Sequence, residues 1–242
     1  MLKISHLTKQ HGNDKGIFDL SLEIQPGDLY AFIGHNGAGK TTTLKCLAGI
    51  QEMDQGEIML NDISLKAQPV AFKKKIAYIP DNPDIYDFLT GMQYLSLIAD
   101  IFEMDQETRL KRIKSLTCLF GIQDALNDLI SSYSHGMKQK LVIISALIHD
   151  PDLLILDEPF VGLDPSASLT LKNIMKEMCA KNKMIFFSTH VLEVAEKICT
   201  KVAIIKEGHL VTSGEMEEIK GDDSLEDVFM ELTQHETINE SM

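Results

Sequence analysis

"LYAFIGHNGAGKTTTLKCLAGI" occupies residues 29–50, and the fold turns on how its three parts are read. "LYAFIG" (29–34) is a nearly unbroken apolar run of strand length, "GHNGAGKT" (34–41) is rich in glycine, and "TTLKCLAGI" (42–50) continues as a helix ending at or near Gly49. A strand apolar along its whole length belongs in a parallel sheet covered on both faces. The loop between strand and helix matches G-x-x-x-x-G-K-[ST], a pattern made credible by that context. In such a loop successive backbone N–H groups and the positive end of the helix surround a phosphate. Gly34, Asn36, Gly37, Ala38 and Gly39 supply the loop, with glycines expected because side chains would block the approach. Lys40 adds a point charge for the β- and γ-oxygens, and the Thr41 hydroxyl is a hard oxygen ligand for Mg²⁺.

The same alternation continues along the chain. "KIAYIP" (75–80), "DLLILDE" (152–158), "KMIFFSTH" (183–190) and "KVAIIKEGHL" (201–210) read as further apolar strands, with the helix "ASLTLKNIMKEMCAK" (167–181) between the second and third. Strands linked by helices give an α/β body with a mostly parallel sheet. From about Asp81 to Leu147 the pattern changes. "LTGMQYLSLIADIF" (89–102) and "ETRLKRIKSLTCLFGI" (107–122) place apolar residues at three- and four-residue spacings, so a helical lobe interrupts that body. The expected division is a catalytic core over 1–80 and 150–215, a helical subdomain over 81–149, and a C-terminal tail over 216–242. In the tail, "SLEDVFMELT" (224–233) has a Ser-x-x-Asp start and apolar Leu225, Val228, Phe229 and Leu232, which predicts a capped amphipathic helix packed on the main body. "QHETINESM" (234–242) is expected to fray.

Composition narrows the function. With 242 residues, 44% of them hydrophobic, the chain can bury one large core or a core with a smaller lobe. A net charge of −13 leaves no basic stripe for phosphates, which excludes nucleic acid as a partner. The longest apolar runs, such as Leu141 to Ile148, fall far short of the ~20 residues that span a bilayer. "MLKISHLTKQ" carries no apolar signal core, so secretion is not expected. Cys46, Cys118, Cys179 and Cys199 show no CxxC pairing and read as reduced core residues of a cytosolic protein.

Two further stretches carry chemistry. "LLILDEP" (153–159) closes an apolar strand with Asp157 and Glu158, at the strand edge where α/β proteins bind ligands. In P-loop nucleotide hydrolases the first such acid holds Mg²⁺, often through water, and the second polarises the attacking water. "YSHGMKQK" (133–140) is a second candidate phosphate cradle: Ser134 offers a hydroxyl, Gly136 permits close approach, and the following helix directs its positive end outward. Ser134 also reads as the N-cap of that helix.

The order of a P-loop, a helical insert, "YSHGM", "LLILDEP", "GLD" (162–164) and "STH" (188–190) resembles the ATP-binding subunits of ABC transporters, from Leu2 to about Thr233. The resemblance implies a P-loop NTPase fold with an N-terminal antiparallel β portion and an inserted all-helical subdomain. It implies ATP and Mg²⁺ as cofactors. It also implies a head-to-tail dimer with an identical or closely related subunit, in which Ser134 and Gly136 face ATP bound to the other chain. Carried over position by position, Glu158, His190 and Lys40 are catalytic, His190 as the switch histidine that contacts the γ-phosphate and holds the attacking water. Thr42 assists at the α-phosphate, and Asp164 resembles the aspartate that links the two sites, although Asp-Pro is also a helix-start signal. Thr41, Asp81 and Asp157 fall at the metal.

Three positions depart from the family pattern. His11 stands where an aromatic residue, often tyrosine, stacks on adenine. His135 replaces the first glycine of the usual signature, and Asp81 replaces a glutamine. The wording most resembles bacterial export-type subunits, which implies a separately encoded membrane permease as partner and a place at the cytoplasmic face of the cell membrane. The alternatives are a stand-alone ABC-type ATPase, or a P-loop kinase or GTPase; the last gives Ser134 and His190 no use.

Overall fold

The computed structural model describes residues 1–12, 15–82 and 85–234. The expected fraying at the C-terminus thus lies, apart from Gln234, outside the described residues. In chain order the first half runs β1 (Leu2–His11), β2 (Lys15–Ile24), β3 (Leu29–Ile33), α1 (Lys40–Leu47), β4 (Gln55–Leu60), β5 (Ile63–Ser64), α2 (Pro69–Lys73) and β6 (Ile76–Ile79). Then come α3 (Gly91–Ile101), α4 (Gln106–Phe120), α5 (His135–Leu147), β7 (Leu153–Asp157), α6 (Pro165–Ala180), β8 (Met184–Thr189) and α7 (Leu192–Ile198). The chain closes with β9 (Lys201–Lys206), β10 (His209–Glu215), α8 (Met216–Lys220) and α9 (Leu225–Gln234).

The strands form two sheets. One is antiparallel, in the order β2-β1-β4-β5; the other runs β10-β9-β3-β8-β7-β6 and is parallel except for β10. Every residue of β3, β7 and β8 is buried, because both faces of this sheet are covered. Tyr30, Phe32, Ile155 and Phe186 pack on one face with Leu44 and Leu47 of α1. Ala31, Ile33, Leu154, Leu156 and Phe187 pack on the other with α5 and α6. Two such faces explain why these strands read as continuous apolar runs and not as alternating ones. β8 lies between β3 and β7, so the loops leaving three neighbouring parallel strands emerge side by side at one edge. That edge holds Gly34–Lys40, Asp157–Glu158 and His190.

One expected strand is two. "KVAIIKEGHL" folds back at Glu207 and Gly208, whose φ angles of 49° and 82° form a left-handed turn between β9 and β10. The helices end as their sequences dictate. Thr90 and Gln93 form a reciprocal capping box on α3; before α9 the Ser224 Oγ accepts the Asp227 N–H and donates to the Asp227 carboxylate. In α9 Leu225 and Phe229 are buried, while Leu232 stays partly exposed at 37%. Cys46 and Cys199 are buried, but Cys118 is exposed, because Ile113, Thr117 and Phe120 take the inward face of α4. Among the described residues no helix is long and apolar enough to cross a membrane.

His149, just past α5, stacks on Phe102 with ring centroids 3.6 Å apart and donates from Nε2 to the Ile76 carbonyl at 3.0 Å. Burial is the main cause that pushes its pKa down to about 4. A histidine held neutral when folded takes up its proton first in the unfolded chain. Its stabilising contribution is therefore present above the unfolded value of about 6.5 and is lost as pH falls toward 4. We expect this loss to be on the order of 2 kcal/mol, and to be absent in His149→Gln. Urea titrations of both proteins between those pH values check it.

Candidate nucleotide site

The loop after β3 is shaped by its surroundings as much as by any ligand. A Cβ on Gly34 would meet the Ile205 carbonyl of β9 at 2.5 Å, so packing already demands glycine there. Gly39, at φ 107°, needs glycine for its backbone conformation. Ala38 is buried and donates its N–H to the His35 carbonyl at 3.1 Å, tightening the loop. Lys40 opens α1, and its Nζ donates to the carbonyls of Gly34 at 2.7 Å and His35 at 3.2 Å. Burial lowers the pKa of this ammonium, while Glu158 and then Asp157 act in the opposite direction. A buried cation thus sits between the loop carbonyls and two acids.

The acids are fixed from β8. Asp157 pairs in register with Ser188, whose Oγ donates to Asp157 Oδ1 at 2.5 Å and accepts the Glu158 N–H at 3.1 Å. Asp157 is only 1% exposed, and its other oxygen, Oδ2, is buried without a hydrogen-bond partner among the described residues. Glu158 turns the chain sharply with φ 48°, a strained value for a side-chain-bearing residue. His190 Nδ1 donates to Glu158 Oε1 at 2.9 Å, and the His190 N–H approaches Oε2 at 3.4 Å. Both oxygens of this carboxylate are therefore oriented by the loop after β8.

A cavity of about 340 Å³ is lined by His11, Asn36, Gly37, Gly39, Lys40, Thr41, Thr42, Asp81, Asp157 and Glu158. Ten residues singled out from sequence thus line one cavity, and His190 joins them through Glu158. Ser134, Gly136 and Asp164 do not line it. Ser134 caps α5, its Oγ accepting the Met137 N–H at 3.3 Å. A Cβ on Gly136 would lie 3.3 Å from the Gly162 carbonyl, and the His135 ring lies against Gly162 as well. Lys140 Nζ meets Asp164 Oδ2 at 2.6 Å, while Asp164 Oδ1 accepts the Ala167 N–H at 2.9 Å as the cap of α6. Lys140 first, then that N–H, hold the Asp164 carboxyl below the usual range. The second cradle is a separate, mostly solvent-facing cluster docked on the loop at 162–164.

A family model described as ABC transporter matches residues 17–161. The chain belongs to the ABC transporter family. As an ABC ATP-binding subunit it is 39% identical over 203 residues to an uncharacterised ABC transporter ATP-binding protein of Nostoc, covering 83% of this chain and 60% of that relative's length. It is 32% identical over 245 residues to the ABC-type transporter ATP-binding protein EcsA of Bacillus subtilis, covering 99% of both. A solved ATP-binding subunit of an ABC transporter superposes with a TM-score of 0.91 at 33% identity, covering 96% of this chain and 99% of that one. The fold is the ABC ATPase fold, with an antiparallel N-terminal sheet beside a mostly parallel one.

Sequence reading missed residues of this ABC subunit's site, among them Ser188, Lys140 and Lys15. Ser188 stands one position before the "TH" of "STH", but its grip on both acids depends on the register of β7 and β8. Lys140 gives no local sign that it meets Asp164. Lys15 lines the cavity because β1 and β2 pair His11 with Lys15, a register that bulges in β1 disguise. Asp81 serves two readings at once: it lines the cavity, and its Oδ1 accepts the Asn82 N–H at 2.8 Å as a turn former would.

Proposed function

We propose that the chain hydrolyses ATP as one half of a head-to-tail dimer and drives a separate membrane permease, in the export direction. The observation that carries the dimer is the separation of the two cradles: Ser134 and Gly136 lie outside the cavity that gathers Lys40 and the two acids. A helix start capped by serine, facing solvent, suits the phosphate of another chain's nucleotide. The core at 1–80 and 150–215, the helical subdomain at 81–149 and the tail at 216–242 remain the division we favour. Location at the cytoplasmic face of the membrane follows from the permease.

Within the site, Lys40 and the loop amides bind the phosphates, giving up the Gly34 and His35 carbonyls for phosphate oxygens. Glu158 takes a proton from the attacking water, and His190 holds its carboxylate in place. Ser188 acts through Asp157 and Glu158 as a positioning residue. The donor set fits Mg²⁺: Asp157 Oδ2 is an orphaned carboxylate oxygen beside Lys40, and the Thr41 hydroxyl is in the same cavity. Mg²⁺ there would neutralise charge on the β- and γ-oxygens.

Asp81 is anionic and one methylene shorter than the glutamine common in the family. We expect Asp81→Asn to lower apparent Mg²⁺ affinity and turnover while ATP binding stays nearly intact, and Asp81→Gln to keep most activity. ATPase rate against Mg²⁺ concentration decides it; identical curves for wild type and Asp81→Asn make the residue a turn former alone. The permease is tested separately. Tagged chain recovered from membranes should carry a stoichiometric multi-span protein that raises its ATPase rate on reconstitution. A chain that stays out of the membrane fraction and is fully active alone is a stand-alone ATPase.

A further inference from the structure

β1 outruns its neighbour. On its β4 side the ladder stops at Thr8 opposite Gln55, yet β1 continues to His11, paired there, among the described residues, with β2 alone. An overhanging strand end leaves backbone groups in need of partners. The segment between α1 and β4 supplies them with side chains. Asp54 Oδ2 accepts the Gln10 N–H at 2.8 Å, and Oδ1 accepts from Lys9 Nζ at 2.8 Å. The Asp54 N–H in turn reaches the Thr8 carbonyl at 2.8 Å. Three residues earlier, Gln51 Nε2 donates to His11 Nε2 at 3.0 Å, a bond that only the neutral ring can accept. The N–H groups of Ile50 and Gln51 both bond the Lys45 carbonyl of α1, at 2.9 and 3.2 Å. His11 is thus tied through Gln51 to the helix that Lys40 begins.

We infer that Gln51 and Asp54 form a brace that fixes the His11 ring as a platform for the purine base, so that they govern affinity for the base and not for the phosphates. The inference rests on the proposed nucleotide site, with His11 at its base end. An imidazole has a small face, and an exposed one must be ordered when the base stacks on it. The bond at Nε2 ties one edge of an exposed ring, so it restricts rotation. The Asp54 bonds hold the backbone from which the ring projects. Ordering the platform before binding removes a cost that binding would otherwise carry.

The probes are MgATP and Mg-tripolyphosphate, which has the phosphates and no base, measured by titration calorimetry. Gln51→Ala and Asp54→Ala should each weaken ATP about threefold to tenfold and leave tripolyphosphate unchanged within about twofold. Asp54→Asn keeps an oxygen for the Gln10 N–H and should restore most of the loss. His11→Ala sets the full size of the base contribution. If His11→Ala leaves the ratio of the two affinities unchanged, the base-end reading fails and the brace with it. If His11→Ala lowers the ratio while Gln51→Ala and Asp54→Ala do not, or weaken both ligands alike, the brace alone is overturned.

Discussion

Glu158→Gln is expected to bind ATP as the wild-type chain does and to hydrolyse it about 10²- to 10⁴-fold more slowly. The carboxamide is nearly isosteric with the carboxylate, so the turn at φ 48° and the anchoring of the backbone N–H on Ser188 should survive. Its Oε1 can still accept from His190 Nδ1, which lies 2.9 Å from the native oxygen. What it cannot do is take a proton from water. Binding should stay untouched, because Lys40 and the loop amides are the groups proposed to supply it. Phosphate release and equilibrium nucleotide binding, measured on the same preparation, separate the two effects. Unchanged turnover would remove Glu158 from the role of base.

The second large effect concerns the two cradles. Ser134→Arg and Lys40→Ala should each reduce ATPase activity at least about 100-fold when pure, Lys40→Ala by losing the phosphate charge and Ser134→Arg by filling the trans cradle. Ser134 is exposed at the start of α5, so arginine fits there at the cost of the cap bond to the Met137 N–H, about 1 kcal/mol, and otherwise acts on what docks against it. Mixed in equal amounts, the two variants form dimers in which one composite site pairs an intact Lys40 with an intact Ser134. The other site is broken twice. With half of the dimers mixed and one site of two intact, about a quarter of wild-type activity should return if the sites act independently. A Ser134→Arg protein that is fully active by itself rules out the trans role.

Much of this site was legible because its demands are local. The apolar runs of β3, β7 and β8 announce a sheet buried on both faces, and the residues just past them fall together once those strands are neighbours. The glycine loop was legible too, although for a partly different reason. Gly34 answers to the Ile205 carbonyl of β9, a contact with no trace in the loop itself. What stayed hidden depends on register and on contacts distant in sequence. Ser188 matters because it lies opposite Asp157, Lys140 because α5 docks on the loop at 162–164, and Gln51 because β4 ends its ladder early. The turn at Glu207 and Gly208 was read as strand because apolar residues flank it on both sides and only the left-handed angles reveal the reversal.

The composite site is tested most directly by the mass of Glu158→Gln in solution, measured by light scattering with and without MgATP. Blocking turnover traps whatever assembly ATP creates. The expected result is one chain without nucleotide, two chains with saturating MgATP, and one chain again when Ser134→Arg is added to the same protein. A mass that stays at one chain in saturating MgATP, or a doubling that survives Ser134→Arg, contradicts a nucleotide held between two copies of the chain.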